Sequence, residues 1–527
     1  MKVIILSLLV LMVCTINAQP FWPYTSDEYP LTVPTSYGFY TGLYMNTSRA
    51  FLGVPYAQPP IGNLRFKPPQ SLQYSWGNYS ATLSPPSCWQ SGKPTGYNYS
   101  EDCLYMNIYT PRTSPSNSLF PSLPVMVWIH GGRYWTGSTK EYNGDMLSSL
   151  GNTIVVVIQY RLNIFGFQSF DSNTNNGLLD QQMALRWVQR NIRSFGGDPN
   201  RVTIFGESAG GSSVLYHLTI PGSFNLYNRA IAHSAWQFVI PTAETSRQKT
   251  VPWAALKGCA NVTATGQPDY TAILSCLQSK PASDITPSTG QSDFMLPMID
   301  NTLISNQLQT SFKLGKYNKL ANIIIGHNYD EGNFMAYSRL GFVGPTDPVS
   351  NATLYDALVR YLNVYFQPNE VQTIVSWYLP VAANLTNWYG GAEFFGDYYI
   401  ICGSIMVSKY LSDQGAKIQN YIFDYSSPNY PSTQRYLAAS HGNELPYVFY
   451  QPVYTYYPFA VSDYAISARM ARSWTDFATN GNPTNALSYW PTYPNAMYYG
   501  QDVNNFSDNR EYLKGICENW RPYFEAY

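Results

Sequence analysis

The sequence predicts an α/β protein in which helices cover both faces of a large, mostly parallel β-sheet. Three runs, at residues 124–130, 153–159 and 321–326, are largely apolar and rich in β-branched side chains. Such runs are typical of strands that are buried on both faces. Residues 180–193 carry apolar side chains at helical spacing between two of these strands. Strands that alternate with helices favour a parallel sheet, which binds ligands beyond the carboxyl ends of its strands.

Further elements agree with this class. Residues 202–205 and 418–423 each read as one more buried strand. The region up to about residue 87 is rich in proline and tyrosine and predicts short antiparallel strands and loops. The chain has no long Gly/Ser, Pro or charged tract and no repeat of fixed period, so residues 19–527 are expected to form one domain.

The amino terminus has the pattern of a secretory signal peptide. Lys2 is followed by an apolar run over residues 3–13, and Ala18 is a small residue at the expected cleavage position. We therefore expect residues 1–18 to be removed. The apolar run is too short to span a bilayer and no second one exists, so no transmembrane segment is expected. The predicted location is outside the cell or in the lumen of a secretory vesicle.

Cysteine usage agrees with an oxidising compartment. Cys14 lies in the signal peptide, and six cysteines remain at positions 88, 103, 259, 276, 402 and 517. An even number in a secreted chain predicts three disulfides. Closeness in sequence favours Cys88–Cys103 and Cys259–Cys276, and Cys402–Cys517 then follows by elimination.

Glycosylation sequons and charge bear on partners. Seven sequons predict surface glycans at Asn46, Asn78, Asn98, Asn261, Asn351, Asn384 and Asn505.

The 31 basic and 32 acidic residues give a net charge of −1, with no basic stripe or charged block. Nucleic acid is therefore not an expected partner. The sequence makes no prediction about the oligomeric state.

The most informative motif is the G-x-S-x-G pentapeptide at residues 206–210. It follows the strand at 202–205 and precedes a run that can form a helix, which is the context of a nucleophile elbow. Such an elbow holds its serine on a strained turn with the hydroxyl exposed. Side chains at Gly206 and Gly210 would collide with the neighbouring strand and helix. Ser208 is therefore the candidate nucleophile.

A serine hydroxyl needs a base, and the base needs an orienting acid. In elbow folds the acid and the histidine follow the serine in the chain, and only His327 and His441 lie well beyond Ser208. His441 lies in a polar, glycine-containing loop that can present an imidazole, so it is the predicted base. His327 directly follows a strand, a position that suits the acid better. Asp330 and Glu331 both qualify as the acid, and the pattern alone does not choose between them.

The oxyanion of the tetrahedral intermediate needs preformed backbone N–H donors. Ala209, the residue after the nucleophile, is one expected donor. The others should come from the glycine-containing loop that follows the strand at 124–130. In this interpretation His130 orients the loop and is not a second base.

Together these motifs resemble the type-B carboxylesterases, a family that includes the cholinesterases and several lipases. The matching segments run in order along nearly the whole mature chain. They are FLGVPYAQPP from Phe51, GNLRF from Gly62, EDCLYMNI from Glu101, YRLNIFG from Tyr160, GLLDQ from Gly177, FGGDP from Phe195, FGESAG from Phe205, DEG from Asp330, HG from His441 and WTDFA from Trp474.

The resemblance implies an α/β-hydrolase fold and the same three cysteine pairs. It implies Ser208 as nucleophile, Glu331 as acid and His441 as base. The implied oxyanion donors are Gly132, Arg133 and Ala209. The expected substrate is a small-molecule carboxylic ester, cleaved through an acyl-enzyme without metal or cofactor.

The family also implies structural roles for four charged residues. Arg65 with Glu101, and Arg161 with Asp180, resemble its buried ion pairs.

One departure from the family is Arg133, because the family usually has glycine or alanine at this position. Its side chain could crowd the acyl site, favour anionic substrates or point away. A catalytically weak, cholinesterase-like binding or storage protein is therefore the alternative to an enzyme.

A second departure concerns choline. In cholinesterases a tryptophan that binds the quaternary ammonium precedes the EDC motif at a set distance. Here Lys93 occupies that region and Trp89 lies too near Cys88, so we expect an esterase that is not choline-specific. The same short, polar loop between Cys88 and Cys103 is unsuited to be the apolar lid of a lipase.

The predicted base also implies a pH dependence. If His441 has the pKa of an ordinary imidazole, the rate should rise with pH at about pH 6–7.

Overall fold

The computed structural model describes residues 30–526 except 74, 76, 91–95, 113–121, 237–238, 289–293, 342–343, 347, 364–365, 385, 452–456, 506–508 and 513. The predicted signal peptide, residues 1–18, lies outside the described residues, as does Lys93.

Strands and helices alternate through most of the chain. The described strands are β1 Thr32–Thr35, β2 Gly38–Thr41, β3 Leu43–Tyr44, β4 Ser48–Pro55, β5 Asn78–Ser80, β6 Ser87–Cys88, β7 Tyr99–Ser100, β8 Tyr105–Pro111, β9 Leu123–Ile129, β10 Ile154–Ile158, β11 Gly197–Glu207, β12 Arg229–His233, β13 Asn322–Asn328, β14 Ile418–Phe423, β15 Asn495–Tyr499 and β16 Asn509–Glu511. The described α-helices are α1 Asp145–Gly151, α2 Asn163–Phe167, α3 Asn176–Asn191, α4 Ala209–Thr219, α5 Ala243–Leu256, α6 Tyr270–Ser279, α7 Ala282–Ile285, α8 Leu308–Lys313, α9 Asn333–Leu340, α10 Asn351–Leu362, α11 Pro368–Asn384, α12 Asn387–Gly396, α13 Cys402–Asp413, α14 Leu445–Val448, α15 Val461–Asn480 and α16 Ile516–Ala526.

One large mixed sheet organises the molecule. Its strand order among the described residues is β16-β15-β14-β13-β12-β11-β9-β10-β8-β4-β3. Every ladder from β10 across to β15 is parallel, whereas β8, β4 and β3 at one edge and β16 at the other pair antiparallel. The predicted fold class, a mostly parallel α/β sheet, is therefore confirmed, and each buried strand predicted from the sequence lies in it.

Strand β9 shows why its sequence is apolar throughout. Val125, Val127 and Ile129 point into one apolar cluster, while Met126 and Trp128 point into a second cluster on the opposite face. Helices α3, α4 and α13 contribute to the first cluster, and α1 and α15 contribute to the second. Both faces of the sheet are thus covered, as a continuous apolar strand requires.

The amino-terminal region also follows the prediction in part. Strands β1 and β2 pair antiparallel, as do β3 and β4. The exception is β5, which pairs with β2 in parallel. The intervening chain of more than thirty residues leaves room for the crossover that a parallel pair needs.

All three predicted disulfides are present: Cys88–Cys103, Cys259–Cys276 and Cys402–Cys517. The last joins helix α13 to helix α16, so it ties the carboxyl-terminal helix to the body of the protein. It closes a separation of 115 residues, which removes much conformational freedom from the unfolded chain.

The two ion pairs expected from the family are also formed. Arg161 donates to Asp180 through Nε at 2.8 Å and Nη2 at 2.7 Å, with both side chains buried. Arg65 donates through Nε to Glu101 at 2.7 Å. Bidentate geometry of this kind suits a structural role, since it satisfies charges that burial would otherwise penalise.

Within the described part of the chain, no helix combines the length and the apolar character needed to cross a membrane.

Candidate active site

The site lies at the carboxyl end of β11, where the strand turns sharply into α4. Ser208 stands at that turn with φ 58° and ψ −122°, a strained backbone conformation for a residue with a side chain. A Cβ at Gly206 would lie 2.6 Å from the carbonyl oxygen of Ile129, and one at Gly210 only 1.9 Å from it. Both glycines are therefore required for the close approach of α4 to β9, as the sequence predicted.

Neighbouring strands hold the elbow in place. The N–H of Ser208 donates to the carbonyl of His233 at the end of β12. The carbonyl of Ser208 accepts from the N–H of Trp236 at 3.2 Å and from that of Ser212 at 2.9 Å. These bonds stabilise a turn that would otherwise relax, which keeps the hydroxyl in one position.

The predicted oxyanion loop follows β9 and reaches the elbow. A Cβ at Gly131 would lie 3.1 Å from Cβ of Ser208, so the loop backbone runs directly beside the serine. Gly132, Arg133 and Tyr134 all have positive φ, at 97°, 57° and 61°. The turn at Gly132 is too tight for a side chain, because a Cβ there would lie 2.2 Å from the carbonyl oxygen of Thr136.

Two further residues, Ala209 and His130, contribute to this region. Ala209 is the first residue of α4, where backbone N–H groups have no acceptor within the helix and the helix dipole is positive. His130 is buried beneath the loop, stacks on Tyr160 with 4.4 Å between ring centroids, and has Nδ1 2.9 Å from the carbonyl oxygen of Gly131. Burial lowers the pKa of His130 to about 4, so its ring is neutral, in keeping with an orienting role.

His441 lies in the loop before α14, with its side chain 13% exposed. Its Nδ1 is 2.7 Å from Oε2 of Glu331, which is fully buried after β13. The other oxygen, Oε1, accepts from the N–H of Asn328 at 2.7 Å. Of the two candidate acids it is therefore Glu331 that contacts the imidazole, whereas Asp330 lies near Asp424 and Glu393.

A second carboxylate faces the opposite edge of the same ring. Oε1 of Glu207 lies 3.1 Å from Nε2 of His441, and Glu207 directly precedes Ser208 in the chain. The structure thus brings the downstream imidazole to the nucleophile elbow. Burial alone would lower the pKa of His441, but the charges of Glu207 and Glu331 outweigh it and raise that pKa to about 9. Burial also acts on Glu207, whose pKa it raises, and the facing His441 imidazolium opposes that rise by stabilising the carboxylate.

Sequence reasoning missed a buried polar chain beneath these residues. The side-chain amide of Asn328 donates to Oε2 of Glu444 at 2.7 Å, and Oε1 of Glu444 lies 3.6 Å from Nδ1 of His233. Nε1 of Trp474 donates to Nε2 of His233 at 2.8 Å. Because that nitrogen accepts, the proton of a neutral His233 is on Nδ1 and faces Glu444.

Two signals could have indicated this chain. Glu444 follows His441 by three residues in the same loop, and His233 ends the strand next to β11. Side chains at the carboxyl ends of adjacent parallel strands meet at one edge of the sheet. Neither residue completes a recognised motif, so the sequence alone does not identify them.

The remaining predicted residues are placed as follows. The Arg133 side chain lies on the rings of Trp135 and Trp236, so it does not point away from the site. Five sequon asparagines are exposed, namely Asn46, Asn78, Asn98, Asn261 and Asn351. Asn505 is half-buried, and the side chain of Asn384 lies outside the described residues. Over the ranges that the structure describes, no group of His, Cys, Asp and Glu side chains is arranged to hold a metal ion.

The sequence is similar to one known family and to several known proteins. A sequence model of the carboxylesterase family matches residues 30–518. The chain is 32% identical to a cholinesterase from Mus musculus, over 95% of this chain and 88% of that protein. It is 32% identical to liver carboxylesterase 1F from Rattus norvegicus, over 91% of each chain. It is 31% identical to acetylcholinesterase-1 from Trittame loki, over 94% of each chain.

Proposed function

The chain belongs to the carboxylesterase family, and on that premise we propose that it hydrolyses carboxylic esters with Ser208 as nucleophile, His441 as base and Glu331 as orienting acid. The family expected from the sequence motifs is thereby confirmed. The observation that carries the triad proposal is the 2.7 Å contact of His441 with Glu331, made by a ring whose other edge faces the residue before Ser208.

The proposed chemistry has two stages. Oγ of Ser208 attacks the ester carbonyl while Nε2 of His441 takes the hydroxyl proton and then returns it to the leaving alcohol. Water then attacks the acyl-enzyme, with His441 again as the base, and releases the acid and the serine. Glu331 accepts a hydrogen bond from Nδ1–H of His441. This bond keeps the imidazole in the required tautomer and stabilises the imidazolium.

Backbone donors supply the charge stabilisation in this proposal. The N–H groups of Gly132, Arg133 and Ala209 would bind the oxyanion that forms on the former carbonyl oxygen. Each such donor is worth roughly 10²–10³ in rate in related chemistry. Since these are main-chain donors, an arginine side chain at position 133 does not remove one of them.

We further propose that the mature enzyme is a single domain, residues 19–527, that enters the secretory pathway and does not prefer choline esters. Three disulfides support an oxidising compartment. The exposed sequon asparagines are the proposed glycan sites, with Asn384 and Asn505 as the remaining candidates. The choline proposal predicts that a neutral, isosteric thioester is cleaved with a kcat/KM at least equal to that for acetylthiocholine.

The test is hydrolysis of p-nitrophenyl acetate together with labelling by a fluorophosphonate. The wild-type protein should turn over and become labelled, and Ser208→Ala should lose both properties. Ser376→Ala changes an exposed serine on α11 and serves as the matched control, which should keep both. A wild-type protein that neither reacts nor turns over would favour the alternative of a binding or storage protein.

A further inference from the structure

A cation and three aromatic rings form a wall beside the nucleophile. The guanidinium carbon of Arg133 lies 3.9 Å from the ring centroid of Trp135 and 5.2 Å from that of Trp236. Trp236 also stacks on Tyr399, with 4.3 Å between their centroids. Both tryptophans and Tyr399 are almost fully buried. We call these four residues the Arg–aromatic wall.

The wall is attached to the catalytic groups at two points. The N–H of Trp236 donates to the carbonyl of Ser208, and its ring centroid is 6.4 Å from that of His441. Arg133 itself follows Gly132 in the loop whose start touches Ser208. The arginine side chain therefore packs on a ring that neighbours the imidazole of His441.

The proposed reaction directs the acyl part of an ester toward the wall. In the proposed reaction the carbonyl oxygen points to the backbone of the loop that contains Arg133, and the leaving oxygen must lie at Nε2 of His441. That nitrogen faces Glu207, so the alcohol leaves on the Glu207 side. The acyl chain is then directed toward Trp236 and the guanidinium packed on it.

We propose that Arg133 is a specificity-determining residue that restricts this esterase to short acyl groups such as acetate. The inference rests on the proposed function and extends it to the substrate class. Its physical basis is volume: a long side chain packed against two indole rings fills space that each further methylene of the acyl chain would need. A close-packed wall resists such intrusion, because displacing one member disturbs the others.

Position 133 can be substituted without disturbing the backbone of its loop. Its φ of 57° is a conformation that glycine adopts without strain, so Arg133→Gly keeps the loop and its N–H donor while emptying the wall. Arg133→Met keeps a long side chain and removes the charge. Trp135→Leu opens the wall by removing the ring that lies nearest to the guanidinium, and it provides a second variant that does not alter residue 133.

The measured quantity is the ratio of kcat/KM for p-nitrophenyl hexanoate to that for the acetate, with active sites titrated by fluorophosphonate. The ratio should be low in the wild type and rise by about tenfold or more in Arg133→Gly, since single methylenes change specificity on that scale. It should rise in the same direction in Trp135→Leu and stay near the wild-type value in Arg133→Met.

Two results would overturn the inference while leaving the esterase proposal intact: a ratio unchanged by Arg133→Gly, or one raised as much by Arg133→Met. Failure of the proposed function has a different signature. In that case the wild-type protein would show no hydrolysis of either ester that depends on Ser208.

Discussion

Nε2 of His441 lies 3.1 Å from Oε1 of Glu207, the residue that precedes the nucleophile in the chain. The imidazole is thus held between two carboxylates, because Glu331 contacts its other nitrogen. Negative charge on both sides favours the imidazolium, which is the form that follows proton abstraction from Ser208. The same charges also make the resting ring harder to deprotonate.

This arrangement predicts an alkaline pH profile. The base acts only when it is neutral, so kcat/KM rises with pH as His441 loses its proton. Since the carboxylates raise that pKa to about 9, the limb should lie well above the pH of about 6–7 expected for an ordinary imidazole. Glu207→Gln removes one charge and should move the limb toward acid by about 1–2 pH units.

The profile is measured as kcat/KM for p-nitrophenyl acetate across pH, at constant ionic strength. Glu244→Gln removes an exposed carboxylate on α5 and is the matched control, with no shift expected. A Glu207→Gln limb that coincides with the wild-type limb would show that this carboxylate does not act on His441.

Replacing each candidate acid by its amide distinguishes the role of Glu331 from that of Asp330. Glu331→Gln should lower kcat by about 10⁴, because an amide at this position favours the wrong imidazole tautomer. Asp330→Asn should have little effect. It is Glu331 that contacts Nδ1 of His441, whereas Asp330 lies near Asp424 and Glu393, so an amide at position 330 leaves the imidazole contact intact. Steady-state kinetics on ester substrates measures both variants, and equal losses would contradict the assignment.

The buried chain beneath the site predicts a role for His233. His233→Ala would leave the N–H of Trp474 and Oε1 of Glu444 facing a cavity, so the free energy of unfolding should fall by about 1–3 kcal/mol. His233→Gln should recover most of that loss, because its amide can accept from Trp474 and donate to Glu444. Chemical denaturation measures the difference. Equal stability of the two variants would mean that polar pairing at this position is unimportant.

The elbow glycines predict a packing defect. Gly210→Ala would place a Cβ 1.9 Å from the carbonyl oxygen of Ile129, which forces α4 away from β9. We expect a loss of stability of about 1–3 kcal/mol and a larger loss of activity, since the same displacement moves Ser208. Thermal unfolding and ester hydrolysis are the measurements. Gly515→Ala is the control, because no heavy atom lies within 4 Å of its added Cβ.

Local patterns carried much of the prediction. The run before Gly206 is mostly apolar and β-branched, which favours a buried strand, and the glycines around Ser208 favour a tight turn. The cysteine pairs followed from spacing because two of the three loops are short. In each case the physical cause acts between residues close in the chain, so the sequence displays it.

Other features depended on groups that are distant in sequence. Asp330 and Glu331 are neighbours with the same chemistry, and only the packing of β13 against the loop of His441 decides which of them meets the imidazole. His233 and Glu444 are 211 positions apart and meet because β12 ends beside that loop. No local pattern records such a meeting.

The amino-acid sequence by itself therefore determined the central buried strands, the elbow, the disulfides and the candidate catalytic residues. Tertiary structure alone decided the partner of the imidazole, the polar chain beneath it and the packing of Arg133 against two indole rings. The reason is geometric. Parallel strands deliver side chains from remote segments to one edge of the sheet, and which of them touch depends on the packing of the whole molecule.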